Sequence, residues 1–153
     1  MGIIVLLVWL LFPRLAYHRA DAREARALAD LSSLRLVAEA FAATAGNGRY
    51  PRPSADLSDA GSVASVMRAH GIRWGGPDGA VDPWGKPYRY WAAPLAPIPF
   101  YPLSYAVASA GADGVFCTDD DVWATDWEPP RKGNPAGRWF AQGAHPFADS
   151  CGP

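Results

Sequence analysis

The chain predicts an α+β fold, one long N-terminal helix packed on a small antiparallel sheet with irregular loops. Three observations carry this. A stretch free of Gly and Pro runs from Arg14 to Ala45, with Leu28, Leu31, Leu34, Val37 and Phe41 recurring at spacings of three and four. That is the period of an amphipathic helix. Short aromatic or alternating runs follow, notably Tyr88–Trp91 (YRYW) and Leu103–Ser109 (LSYAVAS), which suit half-buried strands. The 153 residues include 15 glycines and 15 prolines, so the remaining elements are short and the connections many.

The first element begins with an uncharged run, Gly2 to Phe12 (GIIVLLVWLLF). It falls short of the roughly 20 apolar residues that span a bilayer. A signal peptide fits poorly, since no basic segment precedes the run and no clear A-x-A site follows it. The helix is expected to run from near Gly2 to Ala45, with Pro13 kinking it or breaking its ladder locally. Gly46, Asn47 and Gly48 supply its stop. Residues 1–22 are thus expected to form an apolar part facing lipid or neighbouring helices. Residues 23–153 form the globular part, including the second half of the helix. A filament subunit and a single-pass tether both meet that description. Basic residues follow the apolar run rather than precede it, which alone would place the C-terminal part in the cytoplasm. The shortness of the run suggests instead that a leader lies upstream of Met1.

After the helix, Pro51 and Pro53 keep the chain extended. Ser54, Asp56, Ser58 and Asp59 are candidate caps for a short helix near Ser62 to Ala69. Asp82-Pro83-Trp84-Gly85-Lys86-Pro87 is a turn. Pro94 to Pro102 cannot be a central strand, and Trp139-Phe140 would start a third short one. Trp74, Trp84, Trp91, Trp123, Trp127 and Trp139 are expected to pack the core or its rim, in preference to forming a sugar-binding platform.

Net charge is −1, so no global field favours nucleic acid. The charges are segregated, however. Arg14, Arg19, Arg23, Arg26 and Arg35 lie early, on what is expected to be a solvated helix face, while Asp113, Asp119, Asp120, Asp121 and Asp126 lie late. The stretch Ser109 to Trp127 (SAGADGVFCTDDDVWATDW) crowds carboxylates that repel one another unless a cation neutralises them. Calcium suits such a loop because it takes six to eight oxygens in irregular geometry. Asp113, Asp119 and Asp121 are the expected ligands, on the argument that alternate residues of an extended strand point the same way. Asp120 would then face solvent. The EF-hand spacing is absent, and a solvated acidic turn is the alternative.

Cys117 and Cys151 are the two cysteines. They fit no zinc pattern. A disulfide is the reading for an exported protein, and two buried thiols the reading for a cytosolic one. The three histidines, His18, His70 and His145, stand in no catalytic motif, and no G-x-S-x-G, H-E-x-x-H or P-loop occurs. The expectation is a protein that is not an enzyme.

Taken in order, Pro13-Arg14 in an apolar helix, the Ala-rich amphipathic continuation, Asn47-Gly48-Arg49-Tyr50-Pro51, Asp82-Pro83-Trp84-Gly85-Lys86-Pro87-Tyr88, and Ser109-Ala110-Gly111-Ala112-Asp113-Gly114 with its trailing Asp cluster resemble the major pseudopilin of bacterial type II secretion systems and its pilin-like relatives. The resemblance extends to about Trp127. It implies a pilin-like fold and an inner-membrane, single-pass subunit with its globular domain in the periplasm. Such subunits are processed and N-methylated, and they assemble with copies of themselves and other pseudopilins on an inner-membrane platform to promote protein export. It also implies Ca2+ in the loop from Asp113 to Asp121. A type IV minor pilin and a non-assembling, membrane-tethered calcium module are the alternatives. The family's processing motif is absent, since Gly2 is followed by Ile3, Ile4, Val5, Leu6 and Leu7 with no Glu. Cys117 stands where a glycine is usual.

Overall fold

The computed structural model describes residues 2–75, 79–93 and 104–135, with side chains from Ala20 onward. Its first element is the helix α1, Gly2–Ala43, 42 residues long. At 1.5 Å per residue it spans about 63 Å. It runs unbroken through Pro13 and ends at Ala43, two residues before the expected Ala45. The end is closed by Gly46 N–H donating to Phe41 O (2.7 Å) and Gly48 N–H to Ala42 O (2.8 Å), which satisfies carbonyls that the last turn leaves open.

The helix α2, Val63–Ala69, follows. Its cap is Ser62, whose Oγ accepts a hydrogen bond from Ser65 N–H at 3.1 Å. The upstream candidates do other work. Asp56 Oδ1 closes a turn by accepting from Ser58 N–H (2.8 Å), and Asp59 Oδ1 accepts from Gly61 N–H (2.9 Å) and pairs with Arg52.

Four strands form the sheet: β1 (Arg89–Ala93), β2 (Ser104–Ser109), β3 (Val122–Thr125) and β4 (Arg131–Lys132). They pair antiparallel in chain order. Trp91 faces Ala106 across the first pair, and Ser109 faces Val122 across the second. The sheet is therefore a meander that needs no crossover. The expected strand at Trp139-Phe140 and the Pro94 to Pro102 stretch lie outside the described residues.

α1 lies across β2 and β3 and beside α2. The alternation of β2 decides what meets it. Tyr105 and Val107 face the helix and share one core with Ala27, Leu31, Leu34, Val37 and Ala38 of α1, Val63, Val66 and Met67 of α2, and Val122 and Ala124 of β3. The expected helix face is correct in Leu31, Leu34 and Val37. Leu28 and Phe41 are only partly buried, and Ala27, Ala38 and Ala42 are buried instead. Small residues there let the sheet approach the helix backbone. Each Leu so buried contributes about 1.5–3 kcal/mol by removal from water.

The opposite face of the sheet is also covered. Ala106, Ala108 and Trp123 form a second cluster, against which Trp91, Phe116 and Cys117 pack. Phe116 and Cys117 belong to the segment joining β2 to β3. The acidic connection thus folds across the sheet on the side away from α1. Of the other tryptophans, Trp74 and Trp84 pack against the main core, Trp127 is half exposed, and Trp139 lies outside the described residues.

Candidate cation site

The site is the connection between β2 and β3, residues 110–121. Its entry is set by Ser109, the last residue of β2. Ser109 is fully buried, and its Oγ accepts from Gly111 N–H at 3.2 Å. Gly111 has φ +61°, a left-handed conformation that disfavours side chains. A Cβ there would also fall 2.4 Å from Asp120 O. The chain therefore doubles back so tightly that only glycine fits.

Asp120 holds the loop together. Its Oδ2 accepts from Ala112 N–H (2.7 Å) and Asp113 N–H (3.0 Å), and its Oδ1 accepts from the Thr118 hydroxyl (2.6 Å). Partial burial pushes this carboxyl up, but those hydrogen bonds outweigh it and hold the pKa below the ordinary value. This corrects the expectation that Asp120 faces solvent. The alternation argument presumed an extended strand. Asp119 and Asp120 lie instead in a turn, and β3 begins only at Val122.

The three expected ligands are placed unequally. Asp113 is exposed, and its Oδ1 accepts from Val115 N–H at 2.7 Å. Asp119 is exposed on the turn. Asp121 is fully buried. Its Oδ2 accepts from Cys117 N–H (2.6 Å) and more weakly from Thr118 N–H (3.4 Å), whereas its Oδ1 is buried with no hydrogen-bond partner among the described residues. Burial raises the Asp121 pKa to about 6, the two N–H bonds pull it back, and the charges of Asp120 and Asp113 push it further up. Among the described residues, no three His, Cys, Asp or Glu side chains converge as a ready metal cluster. What the loop offers is one buried carboxylate oxygen with no hydrogen-bond partner among the described residues, and two exposed carboxylates nearby in sequence. An orphaned buried charge of this kind is costly unless a proton or a cation meets it. In type, an all-oxygen donor set suits a hard cation such as calcium.

Cys117 is disulfide-bonded, and Cys151 lies outside the described residues. The Cys117 backbone adopts φ +76°, costing roughly 1–2 kcal/mol for a residue with a Cβ. Its carbonyl accepts from Asn134 Nδ2 at 2.7 Å.

A residue pair missed in the sequence supports the loop from outside. Asp82 is 3% exposed. Its Oδ1 accepts from Trp84 N–H (3.0 Å) and Lys86 N–H (2.8 Å), closing the predicted turn, while its Oδ2 accepts a short hydrogen bond from the Ser109 hydroxyl. The Asp82 to Pro87 turn is thereby tied to the entry of the acidic loop. A separate hollow of about 570 Å³ lies at the end of α1, walled by Phe41, Tyr50, Arg49, Arg52 and Asp59. There Asp59 engages the Arg52 guanidinium.

No family model, curated protein or solved structure matches the chain.

Proposed function

We propose that the protein is a structural subunit of a type II secretion pseudopilus, held at the bacterial inner membrane by its N-terminal helix and assembling through it with copies of itself and other pseudopilins. The observation that carries this reading is the division of α1. From Ala27 onward the helix is built into the domain, whereas Asp21, Ala22, Arg23, Ala25 and Arg26 are exposed. The helix thus continues N-terminally well past the point where the domain needs it. Its sequence from Gly2 to Phe12 is wholly apolar, which is what lipid or a neighbouring helix requires. Among the described residues no helix is long and apolar enough by itself to cross a membrane, so the proposal assigns the apolar run to packing between subunits as well as to lipid.

In this reading the domain holds calcium in the acidic loop, with Asp121 as the buried ligand and Asp113 and Asp119 closing on the ion from the surface. The ion would supply positive charge to the Asp121 oxygen that no described residue satisfies. A bond from Cys117 to Cys151 would pin the C-terminal tail beside the loop, contributing about 3–4 kcal/mol by loop-closure entropy.

Assembly is tested by cysteines introduced together at Leu7 and Leu15, about 12 Å apart along the helix. Oxidation in membranes is expected to trap ladders of crosslinked subunits, absent from the parent chain. Monomers alone would favour the tethered, non-assembling alternative.

A further inference from the structure

The turn that supports the acidic loop also places a positive charge on it. Lys86 is pinned at both ends of its peptide unit, because its N–H donates to Asp82 Oδ1 (2.8 Å) and its carbonyl accepts from Asp82 N–H (2.7 Å). From that fixed base the side chain crosses Gly114, the residue after Asp113. A methyl group placed on Gly114 would meet Lys86 Cε at 3.0 Å and Nζ at 3.5 Å. Gly114 has φ +72°, so the apex of the loop has both the shape and the bare backbone that let the lysine lie across it. The base and the loop move together, since Asp82 also accepts from the Ser109 hydroxyl, and Ser109 accepts from Gly111 N–H. Lys132, a second cation close to Asp120, is already engaged by Glu24 at 2.6 Å.

We propose that Lys86 is a tethered counter-cation of the acidic loop, which supports the loop when no divalent ion is bound and lowers its affinity for calcium by competing with it. The proposal rests on the calcium reading above. The loop gathers Asp113, Asp119, Asp120 and Asp121 within nine residues of chain, and the buried Asp121 Oδ1 has no hydrogen-bond partner among the described residues. An ammonium held over such a loop stabilises it without entering it. A calcium ion arriving at the same loop then meets a like charge carried over its Gly114 apex. Removing that charge raises affinity, by about fivefold at low ionic strength for a single and a double charge roughly 8–9 Å apart under water-like screening. The effect shrinks as salt screens it.

The test uses the full chain in mild detergent, titrated with calcium by calorimetry, together with melting in chelator. Lys86→Gln is expected to bind calcium about fivefold more tightly than the parent at low salt and to melt lower in chelator. Lys86→Arg, which keeps the charge, is expected to match the parent in both. Since Lys86 is exposed, neither change threatens the fold. If the parent binds calcium and Lys86→Gln binds it equally or more weakly, the proposal is overturned while the calcium reading stands. If neither the parent nor Lys86→Gln binds calcium, both are overturned.

Discussion

Asp121 and Asp120 are neighbours in sequence with opposite fates, and the difference is one of hydrogen bonding. Asp120 collects two N–H groups and a hydroxyl and is stabilised as a carboxylate. Asp121 is buried with one oxygen unserved, and its pKa rises to about 6. Because the folded state holds that proton more tightly than an unfolded Asp with a pKa of about 3.9, stability tied to it is present at low pH. It is lost as pH rises from about 4 through about 6. In chelator, the parent should therefore lose melting temperature relative to Asp121→Asn between pH 4 and pH 7, and calcium should abolish the difference. A constant offset across that range would mean that Asp121 stays charged throughout. None of this was visible in the string of aspartates. Spacing alone placed Asp120 in solvent, because it assumed an extended backbone that the left-handed Gly111 and the turn at Asp119–Asp120 do not provide. The Asp82–Ser109 bond was equally invisible, since the two residues are 27 positions apart and neither belongs to a local pattern beyond its own turn or strand.

At the scale of elements, the helix, the short second helix and the first two strands were legible because each carries its own period or cap. The strand Val122–Thr125 was not, since its four residues follow directly on three aspartates, which disfavour strands. Its identity comes from pairing with β2 and from burial on both faces. The two-residue strand Arg131–Lys132 has no hydrophobic pattern at all. The union of α1 with the sheet depends on a few large side chains, of which Leu31 is fully buried. Leu31→Ala is expected to cost about 2–5 kcal/mol by lost burial and a cavity, read as a fall in denaturation midpoint. Leu36→Ala, at a position 67% exposed on the same helix, should leave the midpoint nearly unchanged. Equal losses at both sites would mean that the helix packs through a different face.

The whole molecule joins a helix longer than its domain requires to a loop whose buried Asp121 oxygen the described residues leave unmet. In the proposed function the helix serves assembly and the loop holds calcium. The order of segments in the sequence led to both proposals, and Asp121 was already an expected ligand, whereas the role of Asp120 as organiser of the loop emerged only from the fold. The most direct test is the melting temperature of the full chain in detergent, compared in calcium and in chelator. An ion bound only to the native state at a hundredfold excess over its Kd adds about 2.7 kcal/mol, which for a chain of this size is a rise of about 5–10 °C. That rise is expected for the parent, and its loss in Asp121→Asn. Identical melting of the parent in calcium and in chelator would contradict it, leaving the acidic connection as a solvated turn.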